Sequence, residues 1–423
     1  MIALMMKKYL DRLGHFFQTD FRYLVKGGSL LSVMHIVSAV VSFGMTIAFA
    51  NLIPPEVYGT YRYVLSMYSL LGVLVIPGID TALIRAVSRG FEGSLIDAFK
   101  KKLRWGLIGS FGAFGVALYN LIQGENVLAL IFTLIALIIP VFEATTVYTP
   151  FLNGKKLYRP WVVMDIIALI VSGVILAGTI FLTDNIILII LAYFIPLLAM
   201  RLLFFYRSKR YIENPARDPE LARYGKQVTL FQIISRVIAS IDQVVLFHFL
   251  GPVQLAVFSI AYAIPARAQG LLRIAGTLAT PKFAIQEPRK IAKTLGRKMA
   301  YFALFIIFWS AIYILIAPWL FQTLFPKYIT SVLFSQVLIL FTLSSVTYPF
   351  SALLFAHKRM RENYYIGIGS FLAKVAALAI FVPILGLWGG VISVLAASLT
   401  TIISSLFFLR RIARQDVPSS EVM

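Results

Sequence analysis

Apolar residues in this chain come in long unbroken runs, without the alternation of half-buried strands or the mixed faces of surface helices. A helix rises 1.5 Å per residue and the hydrocarbon core of a bilayer is about 30 Å thick, so roughly 20 apolar residues cross it. Twelve stretches reach that length: 28–50, 58–78, 104–122, 127–148, 160–182 and 185–205, then 227–249, 253–275, 299–323, 330–355, 363–384 and 387–409. Runs this long and this apolar predict helices, because lipid offers backbone groups no partner outside their own segment. The fold class expected is an all-α integral membrane protein with about twelve transmembrane helices.

The spacing of these runs divides the chain. Residues 1–27 form an N-terminal segment in which Leu10, Leu13 and Phe17 share one side of a helix, suited to lying on an anionic membrane surface. Residues 28–205 make a first six-helix bundle, 206–226 a polar linker, 227–409 a second six-helix bundle, and 410–423 a tail. The first run is longer than a signal-peptide core and no clear cleavage site follows it, so it is expected to remain as the first helix.

Composition agrees and charge adds direction. The chain is 60% apolar and 13% charged, with 39 Lys and Arg against 18 Asp and Glu. Thirty-three of the 39 cations cluster at the ends or in the connections that alternate spans share, and the opposite connections hold only Lys327. By the positive-inside rule both termini are expected in the cytoplasm, with the protein in the cytoplasmic membrane. A net charge of +21 distributed in this way is a topology signal and excludes nucleic acid as the partner. The chain has no cysteine, and His15, His35, His248 and His357 lack ligand spacing, so no metal site is expected. No phosphate-binding G-x-x-x-x-G-K-[ST] run is present, so the chain is not expected to hydrolyse nucleotide, and any work it does would draw on a proton, sodium or substrate gradient.

The halves resemble each other. An offset of 197 residues lays Ile53, Pro55, Gly59 and Tyr61 over Leu250, Pro252, Ala256 and Phe258. Six helices per half relates the two by an axis along the membrane normal, an arrangement that places substrate between repeats.

Five cations fall inside spans: Arg62, Arg201, Arg236, Arg267 and Lys374. Such groups are costly in hydrocarbon and call for a wet cavity or a partner. Arg201, near a span end, is expected to snorkel towards headgroups. In the seventh span Thr229, Gln232, Arg236, Ser240 and Gln243 recur at helical spacing and form one polar stripe, and His35 belongs to a weaker one in the first. Glu143, Asp165 and Asp242 are the acids within spans, and Asp242 is either a partner for a cation on a neighbouring helix or a proton or sodium site, with Glu143 a second ion candidate. Pro77, Pro140, Pro196, Pro265 and Pro383 interrupt spans and predict bends. Arginine forks and a lysine point charge on a polar lining suit phosphate oxygens, so Arg62, Arg236, Arg267, Lys374, Gln232, Ser240, Gln243 and His35 are the candidate substrate contacts.

The run LIPPEVYGTYRYV from Leu52, PGIDTALIRAVSRG from Pro77, FLGPVQLAVFSIAYAIP from Phe249 and TPKF from Thr280 resemble O-antigen and other polysaccharide flippases of the multidrug/oligosaccharidyl-lipid/polysaccharide superfamily. The resemblance implies two six-helix bundles in a V around a central cavity, and alternating access for a polyprenyl-diphosphate-linked oligosaccharide. It also implies polysaccharide polymerase machinery as a partner, no cofactor, and a monomer. The connections on the outer side are too short to carry a catalytic domain, so an enzyme is not expected. A multidrug antiporter of the same superfamily stays open as the alternative.

Overall fold

The structure, a computed structural model, describes residues 21–283, 288–357 and 359–414. The N-terminal amphipathic segment expected around Leu10 to Phe17 therefore lies outside the described residues, as does most of the tail. Every regular element among the described residues is helical: α1 (Phe21–Leu52), α2 (Pro55–Leu71), α3 (Gly78–Ser88), α4 (Ser94–Ile122), α5 (Asn126–Thr145), α6 (Tyr148–Gly154), α7 (Tyr158–Leu182) and α8 (Ile186–Ser208) come first. They are followed by α9 (Leu221–Phe283), α10 (Pro288–Leu324), α11 (Ser331–Leu338), α12 (Tyr348–Ala356), α13 (Met360–Leu385) and α14 (Leu387–Arg414).

Ten stretches are long and apolar enough to cross a membrane, and an eleventh is a broken one, Pro55–Val75 with Gly78–Ser88, bent by 53°. The apolar part of α9 runs 42 residues, Gln232–Arg273, about twice what a bilayer needs. It is interrupted at Gly251, whose φ of 83° and ψ of 177° no helix contains. Counting its two arms separately gives the twelve spans that the sequence predicts, and makes the chain a multi-pass membrane protein.

The broken span has a local cause. A short 3-10 turn, Gly72–Val75, ends at Ile76 in the left-handed region (φ 47°), and Pro77 has no amide to continue the ladder. α3 restarts because the Gly78 amide donates to Thr229 Oγ1 at 3.0 Å, and a methyl at Gly78 would strike the Gly225 carbonyl and the Thr229 amide. The stretch after Pro77, read from sequence as a connection, is thus itself helical.

The described residues fall into two compact units, within Met1–Met45 plus Leu71–Leu230 and within Thr46–Leu70 plus Phe231–Met423. In the first, Leu83, Ala86, Leu95, Phe151, Leu152 and Phe205 are among the buried core residues that join α3, α4, α6 and α8. Lys102, which the run of cations around it suggests is in a connection, sits about two turns inside this unit's α4. Only 1% of its side chain is exposed; its Nζ lies 2.8 Å from Asp80 Oδ1 and donates to Thr146 Oγ1 at 2.8 Å. Three consecutive lysines on a helix point in different directions, and this one points into the core.

The same unit holds down the segment expected to be a linker. Glu92 accepts from the amides of Glu213 (2.6 Å) and Asn214 (3.1 Å) and pairs with Lys155 at 2.9 Å. The Gly93 amide donates to the Asn214 and Ala216 carbonyls, and a methyl there would meet the Pro215 carbonyl. Arg89 to Asp218 (3.8 Å), Arg217 to Asp97 (3.3 Å) and Arg85 to Glu220 (4.0 Å) complete a strap from Ile212 to the start of α9. Burial alone would raise the Glu92 carboxyl; the Lys155 ammonium and the two amides outweigh it and hold it below the usual range. For Lys155 burial works downward, and Glu92 with Glu213 raises the ammonium above its ordinary value.

In the second unit Phe350, Leu353, Leu354, Leu295 and Met299 belong to a core shared by α10, α12, α13 and α14. Here α2 packs on the first arm of α9 in a ladder of contacts. Gly59 meets the Pro252 carbonyl, Tyr63 stacks on Phe247 with centroids 3.9 Å apart, Ser66 Oγ donates to Gln243 Oε1 at 2.7 Å, and Ser240 Oγ donates to Ser69 Oγ at 3.1 Å. Close approach at one end requires a residue without Cβ, and the polar rungs keep buried hydroxyls satisfied.

Candidate functional site

Most of the residues singled out from sequence belong to the second unit: Arg62 on α2, Gln232, Arg236, Ser240, Asp242, Gln243 and Arg267 on α9, and Lys374 on α13. His35 on α1 and Glu143 on α5 belong to the first unit, where His35 is exposed and Glu143 half-buried.

Within the second unit the polar stripe of α9 separates into two functions. Ser240 and Gln243 are buried and hydrogen-bonded to α2, so part of the stripe is the seam just described. Asp242 points elsewhere, towards α13. There Lys374 Nζ lies 3.0 Å from Asp242 Oδ2 and donates to the Ile238 carbonyl at 2.6 Å, with side-chain exposures of 7% and 5% for the lysine and the aspartate. Two groups singled out separately, one for substrate and one for an ion, are each other's partner. In a medium of low dielectric either charge alone would be expensive, and the pair removes that cost for both.

The arginines are arranged differently. Arg62 is half-buried and its buried Nε has no hydrogen-bond partner among the described residues. Arg267 is also half-buried, its charge and that of Arg62 act on each other, and both act on the hydroxyl of buried Tyr58. Like charges in a membrane-spanning region repel, and an anion between them lowers that cost. Arg236 is half-buried, with no ion-pair partner among the described residues. Of the in-span cations singled out in this unit, Lys374 is answered by Asp242, and the other three, Arg62, Arg236 and Arg267, make an electrostatic surrounding that favours anions.

Several residues escaped the sequence reading. Ser66 and Ser69 continue from Arg62 at spacings of four and three, so a polar stripe on the second span was there to be seen. In the first unit Asp165 is held by Tyr148 (Oη donating at 2.6 Å) and Trp161 (Nε1 donating at 2.7 Å). The Arg201 guanidinium stacks on Phe142, 4.2 Å from the ring centroid. Trp161 and Asp165 are one turn apart on α7 and could have been paired from spacing, whereas Tyr148 and Phe142 are partners from other helices that no spacing reveals. Among the described residues no group of three His, Cys, Asp or Glu side chains is placed to hold a metal ion.

Several solved structures share this fold. Over 91% of this chain and 90% of the other, the lipid II flippase MurJ in an inward closed conformation superimposes with a TM-score of 0.68 at 16% identity. An inward-facing multidrug resistance MATE family transporter of the MOP superfamily matches over 92% and 98% with a TM-score of 0.63 and 16% identity. A MOP superfamily transporter from Pyrococcus furiosus, described as having a binding pocket of reverse polarity, matches over 92% and 93% with a TM-score of 0.56 and 17% identity. No curated protein sequence matches the chain. At these identities the structural matches establish the fold, and the sequence itself establishes the family. Residues 24–285, more than half of the chain, match the family described as polysaccharide biosynthesis protein, and the chain belongs to that family, with the fold of the MOP superfamily.

Proposed function

We propose that this protein is a flippase that carries a polyprenyl-diphosphate-linked oligosaccharide, such as an O-antigen or other surface polysaccharide unit, across the cytoplasmic membrane by alternating access. The observation that carries the reading is the buried Nε of Arg62, without a hydrogen-bond partner among the described residues, on a span of the unit that also holds Arg236 and Arg267, in a chain of the polysaccharide biosynthesis family. A diphosphate bridging two guanidinium groups relieves their repulsion and accepts paired hydrogen bonds from each. Arg236 supplies a third charge, Gln232 is a neutral contact of the reading, and Lys374 joins them when Asp242 releases it. Coupling to a proton or sodium gradient falls to Asp242 and Glu143, because protonation of Asp242 frees the ammonium it now holds. Both termini in the cytoplasm, a monomeric state and supply of polysaccharide polymerase machinery complete the reading. A multidrug antiporter is the second reading, favoured by the fold shared with MATE transporters; a cationic drug would want a free carboxylate, and the in-span carboxylate of the second unit is occupied by Lys374.

Export complementation in cells lacking their own flippase tests the reading. Arg62→Gln, Arg236→Gln and Arg267→Gln are expected to reduce surface polysaccharide at least about tenfold, the loss of roughly one charge-assisted hydrogen bond at the transported group. Full export by the triple variant at normal membrane abundance would remove the arginines from the mechanism.

A further inference from the structure

The basic side chains at the strap end of the first unit are of two kinds. Arg85, Arg89, Lys155 and Arg217 each face a carboxylate within 4.0 Å. Lys100, Lys101 and Arg104 on α4, and Arg223 and Lys226 on α9, have no carboxylate partner among the described residues. Of the second set, Lys226 Nζ stands over the Trp105 ring, 5.6 Å from its centroid, so the start of α9 lies against α4 at Trp105, with Lys101 one turn before that ring and Arg104 its chain neighbour.

What continues from that place is apolar. Beyond Arg104, Leu107 (54%), Ile108, Phe111 (76%), Phe114 and Leu118 are exposed, and no charge interrupts the helix from there to Ile122. That length is about 24 Å, most of a hydrocarbon core, so Arg104, Trp105 and Lys226 stand where the apolar surface ends and headgroups begin. A soluble anion would use the cations and leave the stripe bare, whereas a diacyl lipid uses both, its phosphate on the ammonium and guanidinium groups and its chains along Ile108 and Phe111.

We infer that Lys101, Arg104 and Lys226, with Trp105 between them, form a binding site for an anionic glycerophospholipid at one membrane interface. The inference needs only that the chain spans a membrane and stands apart from the identity of the transported molecule.

Trp105 reports on its own site. The full-length protein is reconstituted in vesicles of dibrominated phosphatidylcholine or of the same lipid with one third dibrominated phosphatidylglycerol, and bromine quenching of Trp105 is taken as the difference between wild type and Trp105→Phe. Expected is stronger quenching with phosphatidylglycerol, corresponding to a local enrichment on the order of fivefold, what a single basic side chain contributes near an anionic surface. In K101Q/R104Q/K226Q the two lipids should quench alike. Equal quenching in the wild type overturns the inference, as does a preference that survives the triple substitution with Trp105 emission otherwise unchanged. Abolition of the preference by millimolar inorganic pyrophosphate would assign the cations to a soluble anion and also overturn it.

Discussion

At the scale of single residues the buried ion pairs carry the clearest consequences. Removing one member of the Asp242–Lys374 pair leaves a charge without a counterion, a loss of about 3–5 kcal/mol. Asp242→Asn and Lys374→Met are each expected to lower the unfolding midpoint in detergent, and Asp242→Leu with Lys374→Met to recover most of it, because two matched apolar side chains need no counterion. A double variant as unstable as the singles would show that the pair contributes something other than mutual neutralisation. That Asp242 answers a cation on a neighbouring helix was legible as one of two alternatives, since its place on α9 turns it away from Arg236. That the cation is Lys374 was not legible: residues 132 positions apart meet only through the packing of α9 on α13. The buried site of Lys102 escaped for a related reason, because a run of like charges reads as a solvated surface while a helix distributes its members over several faces.

At the scale of elements the breaks and close approaches decide the architecture, and many of them announce themselves. Pro77 with Gly78 marks the bend between α2 and α3, and Gly251 with Pro252 divides α9, so punctuation residues located the ends of spans well. The ladder between α2 and α9 was less visible. Gly59 reads as an ordinary membrane-helix glycine until its Cα is seen against the Pro252 carbonyl. Gly59→Ala is expected to push the two helices apart at that rung at a cost of about 1–3 kcal/mol, measurable as a lower midpoint and as weaker cross-linking between cysteines placed at Ser66 and Gln243. Unchanged cross-linking would mean that α2 tolerates the methyl by rotating in place. Gly251, at a φ of 83°, is the position where replacement by a β-branched residue would be resisted by the backbone itself.

At the scale of the whole molecule the ionisation of the strap sets a pH window. The Glu92 carboxyl is depressed in the folded chain, so its contribution is present above its unfolded value of about 4.3 and is lost as pH falls through the lower folded value. The Lys155 ammonium is raised, so its contribution is present below about 10.4 and is lost as pH climbs through the higher folded value. The strap is therefore expected to hold across the whole neutral range, and the Gly93, Glu213 and Asn214 amides to lose protection against hydrogen exchange, relative to the free-peptide rate at the same pH, only in the acid range below the unfolded carboxyl value. In Glu92→Gln the acid-induced step should disappear, since the group that titrates is gone; a step of unchanged size would assign it to another carboxylate.

Residues 46–70, which include Arg62, are built into the same compact body as residues 231 onward, although they are encoded in the first half of the chain. Gene halves and folded bodies are therefore not the same objects. A polypeptide beginning after the strap would lack the α2 rungs that cover Ser240, Gln243 and Phe247, and should be cleared by proteolysis when made alone. Supplied together with the complementary N-terminal polypeptide it should reassemble, so accumulation of either fragment ought to depend on the presence of the other.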